Sequence, residues 1–159
     1  MKKLLIIFLI SIFHFSFLKA EVIKNVIING NKRISNETVI IYGDIKIEKN
    51  YSEEDLNNLI KNLYSTNFFK NVDININQGN LIVNLEEYPI LNQLIIIGEK
   101  SNKFKNEIKK VIQLKEKRSF IKSFLANDLE NIKDLYSSLG YNISKVEAKI
   151  KEIDSENFD

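Results

Sequence analysis

The sequence predicts an α+β fold of two tandem β-α-α-β-β units, each a three-stranded mixed sheet covered by two helices, with the second unit incomplete. Three observations predict it. Between Leu56 and Val83 the apolar period changes. Leu56, Leu59, Ile60, Leu63 and Tyr64 share one helical stripe, whereas Val72, Ile74, Ile76 and then Leu81, Val83, Leu85 alternate as a hairpin turning at Gln78-Gly79-Asn80. The pattern then begins again: Leu91 to Gly98 matches Ile23 to Gly30, and Ile132-Lys133-Asp134-Leu135-Tyr136 repeats Ile60-Lys61-Asn62-Leu63-Tyr64. Finally, Pro89, the only proline, falls between the two copies.

Each element has a local cause. Val22, Ile23, Val26, Ile27 and Ile28 are β-branched residues of a strand that Gly30 ends. Ser35 is placed to cap a short helix over 36–42, with Glu37 in its first turn and Gly43-Asp44 as its stop. Ser52 opens the next helix, and Asp55 stands three residues on in a capping-box position. Phe68 and Phe69 sit where that helix folds onto the sheet; as sequence neighbours they diverge, so one is expected outside the core. In the second unit, Phe104, Ile108, Val111 and Ile112 mark a helix over 104–114, followed by Lys115-Glu116-Lys117-Arg118 as a polar loop. Leu125, Leu129, Ile132, Leu135, Tyr136 and Leu139 mark a longer helix with Gly140 as its cap residue. Val146, Ala148 and Ile150 then alternate as a strand, and no partner strand is expected after it.

Residues 1–20 form a separate object. Lys2 and Lys3 precede a mostly apolar run from Leu4 to Leu18, and Ala20 is a small residue at a plausible cut point, which is the pattern of a secretory signal peptide. The rival reading is a membrane anchor, but the run is short for the ~20 residues of a spanning helix and includes Ser11, His14 and Ser16. The expected organisation is therefore 1–20 signal peptide, 21–89 first unit and 90–159 second unit.

Without the leader, the 23 basic residues lose Lys2, Lys3 and Lys19, so 20 stand against 21 acidic ones, a net charge of −1. A near-neutral chain with two arginines far apart, Arg33 and Arg118, argues against nucleic acid as a partner. The remaining residues also lack Cys, His, Trp and Met, because His14 and Met1 lie in the leader. That excludes Ser-His-Asp and Cys-His catalysis and any His or Cys metal site. The surviving acid–base candidates, Glu86 with Glu87 and Glu53, Glu54 with Asp55, read more simply as solvated charges and a helix first turn. No catalytic residue, metal ligand or cofactor is expected. The Gly30-Asn31-Lys32-Arg33 loop reads as a strand-to-helix turn, with Arg33 the one residue that turn chemistry leaves unexplained.

Three stretches carry a family likeness. Gly30-Asn31-Lys32-Arg33-Ile34-Ser35-Asn36-Glu37-Thr38-Val39 resembles the opening of a POTRA (polypeptide-transport-associated) domain. Leu63-Tyr64-Ser65-Thr66-Asn67-Phe68-Phe69-Lys70-Asn71-Val72 resembles its helix-to-strand junction, and Leu135-Tyr136-Ser137-Ser138-Leu139-Gly140-Tyr141 is similar to the same junction in a second copy. Tandem copies behind a signal peptide are similar to the N-terminal region of the BamA-type outer-membrane assembly factors. The resemblance implies a non-enzymatic module on the periplasmic face of the outer membrane. Its implied partners are unfolded outer-membrane proteins, other subunits of the assembly complex, and the membrane itself through a C-terminal barrel missing from this chain. Family members end in that barrel, so the chain looks like a fragment and the insertase activity cannot reside in it. A two-partner secretion pore or a division scaffold could use the same POTRA pair. A small exported carboxylate-dependent hydrolase is the reading from another class, and it would need two acidic residues converging in a pocket.

The candidate site is backbone rather than side chain. A three-stranded sheet has edge strands whose N–H and C=O groups are open to another extended chain. The hairpin's first strand, Asn71, Val72, Asp73, Ile74, Asn75, Ile76 and Asn77, carries no proline to block pairing and suits β-augmentation, in which main-chain bonds give affinity with little sequence preference.

Overall fold

A computed structural model describes residues 22–154 and 157–158. The expected signal peptide therefore lies outside the described residues.

The first unit has the expected order: β1 (Asn25–Asn29), α1 (Asn36–Gly43), α2 (Glu53–Ser65), β2 (Phe69–Asn77) and β3 (Asn80–Glu87). The sheet order is β1-β3-β2, with β1 parallel and β2 antiparallel to the central β3. Mixed pairing follows from the connections: a two-residue turn closes β2 onto β3, whereas β1 reaches β3 only after both helices. Gln78 and Gly79 both have positive φ, 50° and 76°, as the turn favoured in right-twisted hairpins requires. The Ser52 hydroxyl accepts the Asp55 N–H and the Asp55 carboxylate accepts the Ser52 N–H, so the capping box starts α2 at the expected place. At the end of α1 it is Asp44, not Gly43, that adopts the left-handed conformation; Gly43 is buried, and a Cβ there would press on Ile45 and Leu59.

One face of this sheet packs under α1 and α2. Ile23, Val39, Ile45, Leu59, Leu63, Phe69, Val72, Leu81, Val83 and Leu85 form the core, with Val26, Ile28, Leu56, Ile60 and Ile74 half-buried at its margin. Phe69 is buried, whereas Phe68 is half-buried and edge-on to Tyr42 and Phe69. The opposite face is open and rich in Asn, with Asn25 bonded to Asn80 and Asn29 to Asn84 across β1 and β3.

The second sheet differs from expectation in three ways. It contains β4 (Ile90–Leu91), β5 (Arg118–Ser119), β6 (Glu152–Asp154) and β7 (Asn157–Phe158), and the helices are α3 (Asn102–Val111) and α4 (Lys122–Ser138). First, the strand expected over 91–98 shrinks to Ile90–Leu91, and Ile95 and Ile97 stand exposed. Second, Val146, Ala148 and Ile150 are not a strand; Ala148 and Ile150 are exposed, and pairing begins only at Glu152. Third, the place expected to be empty is filled. β7 lies parallel to β4 and antiparallel to β6, repeating the β1-β3-β2 arrangement in stub form, while part of the predicted polar loop adds β5 as a fourth strand. The reason is common to all three. Alternation gives a segment a buried face, but a strand persists only where a ladder partner lies opposite, and β7 offers two residues. Gly140, at φ 90°, ends α4 as expected: its N–H meets the Ser137 carbonyl and the Tyr141 N–H meets the Tyr136 carbonyl.

Leu63 is fully buried in the first core, so Leu63→Ala should cost about 2–5 kcal/mol in denaturant melts, whereas the exposed Ile41→Ala should cost little.

Candidate strand-docking site

β2 lies at the edge of its sheet, with β3 on one side and no strand on the other among the described residues. Val72 points into the core, Ile74 and Ile76 are half-buried, and Asn71, Asp73, Asn75 and Asn77 stand on the open face. Asn77 pairs with Asn80 across the tight turn, so the ladder bonds fall on Asn77, Asn75 and Asp73. The N–H and C=O groups of Val72, Ile74 and Ile76 therefore face the free edge. One of these is already taken: the Val72 N–H donates to the Tyr64 hydroxyl at 3.2 Å, and that hydroxyl donates to Asn71 Oδ1 at 3.4 Å. Tyr64 thus ties α2 to the start of β2, where a register shift between Phe69 and Asn71 bends the strand. Of the seven expected residues, Ile74 and Ile76 carry both open backbone groups and Val72 its carbonyl alone. Asn71 and Asp73 serve internal contacts, the latter by accepting from Asn84 at 3.1 Å.

The carboxylates do not form an acid–base pair. Glu86 and Glu87 point to opposite faces of β3, as neighbours on a strand must. Glu86 is exposed and pairs with Lys70 at 2.7 Å. Glu87 is not a solvated charge; its side chain is 7% exposed, and it is the contact that sequence reasoning missed. Its Oε1 accepts the N–H groups of Lys32, Arg33 and Ile34 at 2.8, 3.0 and 3.0 Å. Its Oε2 lies 2.9 Å from Arg33 Nε as an ion pair, and Arg33 Nη2 donates to the Tyr88 carbonyl at 2.9 Å. The loop is held so close to β3 that a Cβ on Gly30, at φ 83°, would lie 2.0 Å from the Leu85 carbonyl oxygen. The available signal was Arg33 itself, which turn chemistry did not need. Gly30, Lys32, Arg33 and Leu85 to Pro89 line the shallow hollow over this latch.

The other acidic trio lies at the start of α2. Lys49, 2.8 Å away, and Ser52 hold the Asp55 carboxyl well below the usual carboxylate range. Asp128 on α4 is a second buried carboxylate the sequence did not disclose. It accepts the N–H groups of Gln113 and Leu114 at 2.6 and 2.9 Å and fixes the chain leaving α3. On the same helix Tyr136 donates to Glu99, and that carboxylate, with burial, pushes the phenol up to about 12. Among the described residues no cluster of His, Cys, Asp and Glu is arranged to hold a metal ion, and no helix is long and apolar enough to cross a membrane.

The POTRA family model, described as "Surface antigen variable number repeat", matches residues 89–158, the second unit. The chain is 27% identical over 144 residues to the outer membrane protein assembly factor BamA of Neorickettsia risticii, covering 91% of this chain and 19% of that protein. It is 26% identical to BamA of Buchnera aphidicola, covering 86% of this chain and 22% of that one. The chain thus spans about a fifth of the length of these relatives. The N-terminal domain of Omp85 from the cyanobacterium Thermosynechococcus elongatus shares the fold, with a TM-score of 0.55 over 86% of this chain and 60% of that one at 15% identity.

Glu87→Ala leaves three amides without their acceptor and Arg33 without its ion-pair partner, and should cost on the order of 3 kcal/mol in denaturant melts, whereas Glu86→Ala should change little. Because the Tyr136 phenol is raised in the fold, its contribution to stability is complete below pH 10.0 and is lost as pH rises toward 12. Stability measured across that window should fall more steeply in the wild type than in Tyr136→Phe.

Proposed function

From a chain whose second unit matches the POTRA family, and whose similarity to BamA runs through both units, we propose that it is the POTRA region of an outer-membrane protein assembly factor. Residues 21–89 and 90–159 are then two tandem POTRA-like domains that meet near Pro89. They work on the periplasmic face of the outer membrane and are not enzymes. Unfolded outer-membrane proteins are the clients, and the other subunits of the assembly complex are the partners.

The observation that carries the client role is the open edge of β2. Among the described residues, Ile74 and Ile76 present unpaired N–H and C=O groups in a strand with no proline, and an extended client segment adding beside them would form a fourth strand. Main-chain bonds are blind to sequence, as a module serving many client chains requires. Tyr64 limits the reach of the site by occupying the Val72 N–H, so pairing begins at Ile74.

Proline substitution tests this reading. Ile74→Pro removes an N–H that faces the free edge, so the fold should persist while binding of an extended peptide taken from an outer-membrane barrel strand falls at least about tenfold. Asn75→Pro breaks a bond to β3 and should instead destabilise the sheet. Unchanged peptide affinity in a folded Ile74→Pro variant would remove β2 as the docking edge.

A further inference from the structure

The charges of this chain are segregated, and neither the sheet nor the strand edge explains it. Residues 100–122, comprising α3, the turn after it and the start of α4, hold nine basic side chains against two acidic ones, Glu107 and Glu116, a net charge of +7. From residue 21 on, the rest of the chain holds eleven basic against nineteen acidic residues, a net charge of −8. Of the nine basic side chains only Lys105 is half-buried; the others are exposed. The fold gathers them further. α3 buries Ile108 and turns Lys103, Lys109 and Lys110 outward, and the following turn bends back so that Lys115 Nζ donates to the Lys109 carbonyl at 2.5 Å. Little neutralises the cluster. Glu107 pairs with Lys110 at 2.8 Å, Glu99 lies within electrostatic reach of Lys105, and Glu116 accepts the Leu94 N–H at 2.9 Å. Lys103, Lys109 and Arg118 have no carboxylate within ion-pair distance among the described residues.

Like charges gathered on one short helix and the turn after it repel one another, screened over a Debye length of about 8 Å at physiological salt. The arrangement therefore costs stability, and an anionic surface facing it offsets that cost. We propose that α3 and the turn over 112–118 form a docking surface for an anionic phospholipid bilayer. The occupant that fits is a bilayer, because a spread of exposed ammonium groups meets a diffuse field of anionic headgroups. Beside the basic turn, the segment after Leu94 exposes Ile95 and Ile97, at 65% and 87%, which supplies apolar side chains at the margin of the charged surface. Lipid docking here is independent of client binding, because β2 lies in the other sheet.

The test is co-sedimentation of the full chain with phosphatidylcholine vesicles containing or lacking phosphatidylglycerol. Residues 1–20 could themselves enter a bilayer, so every variant carries them and the result is read as a difference between variants. Each lysine near an anionic surface contributes about fivefold, so Lys103→Gln/Lys109→Gln/Lys110→Gln should weaken binding to anionic vesicles about a hundredfold. Removing three charges elsewhere, in Lys24→Gln/Lys61→Gln/Lys133→Gln, should change it by less than about fivefold. If the α3 variant loses its circular dichroism, Lys115→Gln/Lys117→Gln/Arg118→Gln in the turn provides the same comparison. Equal losses from the two regions, the same loss on vesicles without phosphatidylglycerol, or the same loss of binding to poly-glutamate would each overturn the assignment. The Ile74→Pro variant should bind vesicles like the wild type, so failure of the strand edge and failure of the basic surface are distinguishable.

Discussion

A single carboxylate, that of Glu87, ties the end of the first sheet to the loop that enters its first helix. Glu87 ends β3 with its side chain turned inward, and there it collects three consecutive amides of the loop between β1 and α1. Those N–H groups precede α1 and have no helical partner of their own, so an internal anion satisfies them without water. Arg33 then neutralises the buried charge and reaches on to the Tyr88 carbonyl. The parallel pairing of β1 with β3 brings the loop and the carboxylate together, and the close approach admits only glycine at position 30. A buried charge bound this way is costly to leave half-paired, so the loop, the end of β3 and the start of the linker are fixed as one object.

The second unit has the same plan with less to hold it. Asp128 repeats the device of a buried carboxylate collecting backbone amides, this time from the chain leaving α3. The sheet beneath is built from strands of two or three residues, and α4 is mostly half-buried along its apolar stripe. The buried apolar residues here, Leu91, Ile108, Ile112, Leu114 and Ile121, come from β4, α3, the turn after it and the residue before α4, not from a long ladder. The contrast between the units is a contrast in ladder length: β2 and β3 pair over the length of a long hairpin, whereas β4 and β7 pair at two positions.

The open edge of β2 and the basic surface of α3 belong to different units of the chain. The edge is nearly neutral and offers backbone groups; the surface on α3 offers charge and little backbone. An extended chain and a lipid surface would thus meet the molecule at separate places.

Elements with local causes were legible in the sequence. The change of period from Leu63 to Val72, the Ser52–Asp55 capping box, the Gln78-Gly79 turn and the glycine after α4 each act over a few residues, and each produces the element it predicts. Features that depend on a distant partner emerged only when the chain was folded. The alternation at Val146, Ala148 and Ile150 specifies a face but not a facing strand, and without one it remains irregular. Glu87 reads as one of two solvated charges until β1 brings residues 32–34, more than fifty positions earlier, against it. Which of the seven β2 residues has open backbone groups likewise depended on the ladder with β3 and on Tyr64 of α2, because hydrogen-bond direction alternates along a strand and is set by its neighbours rather than by its side chains.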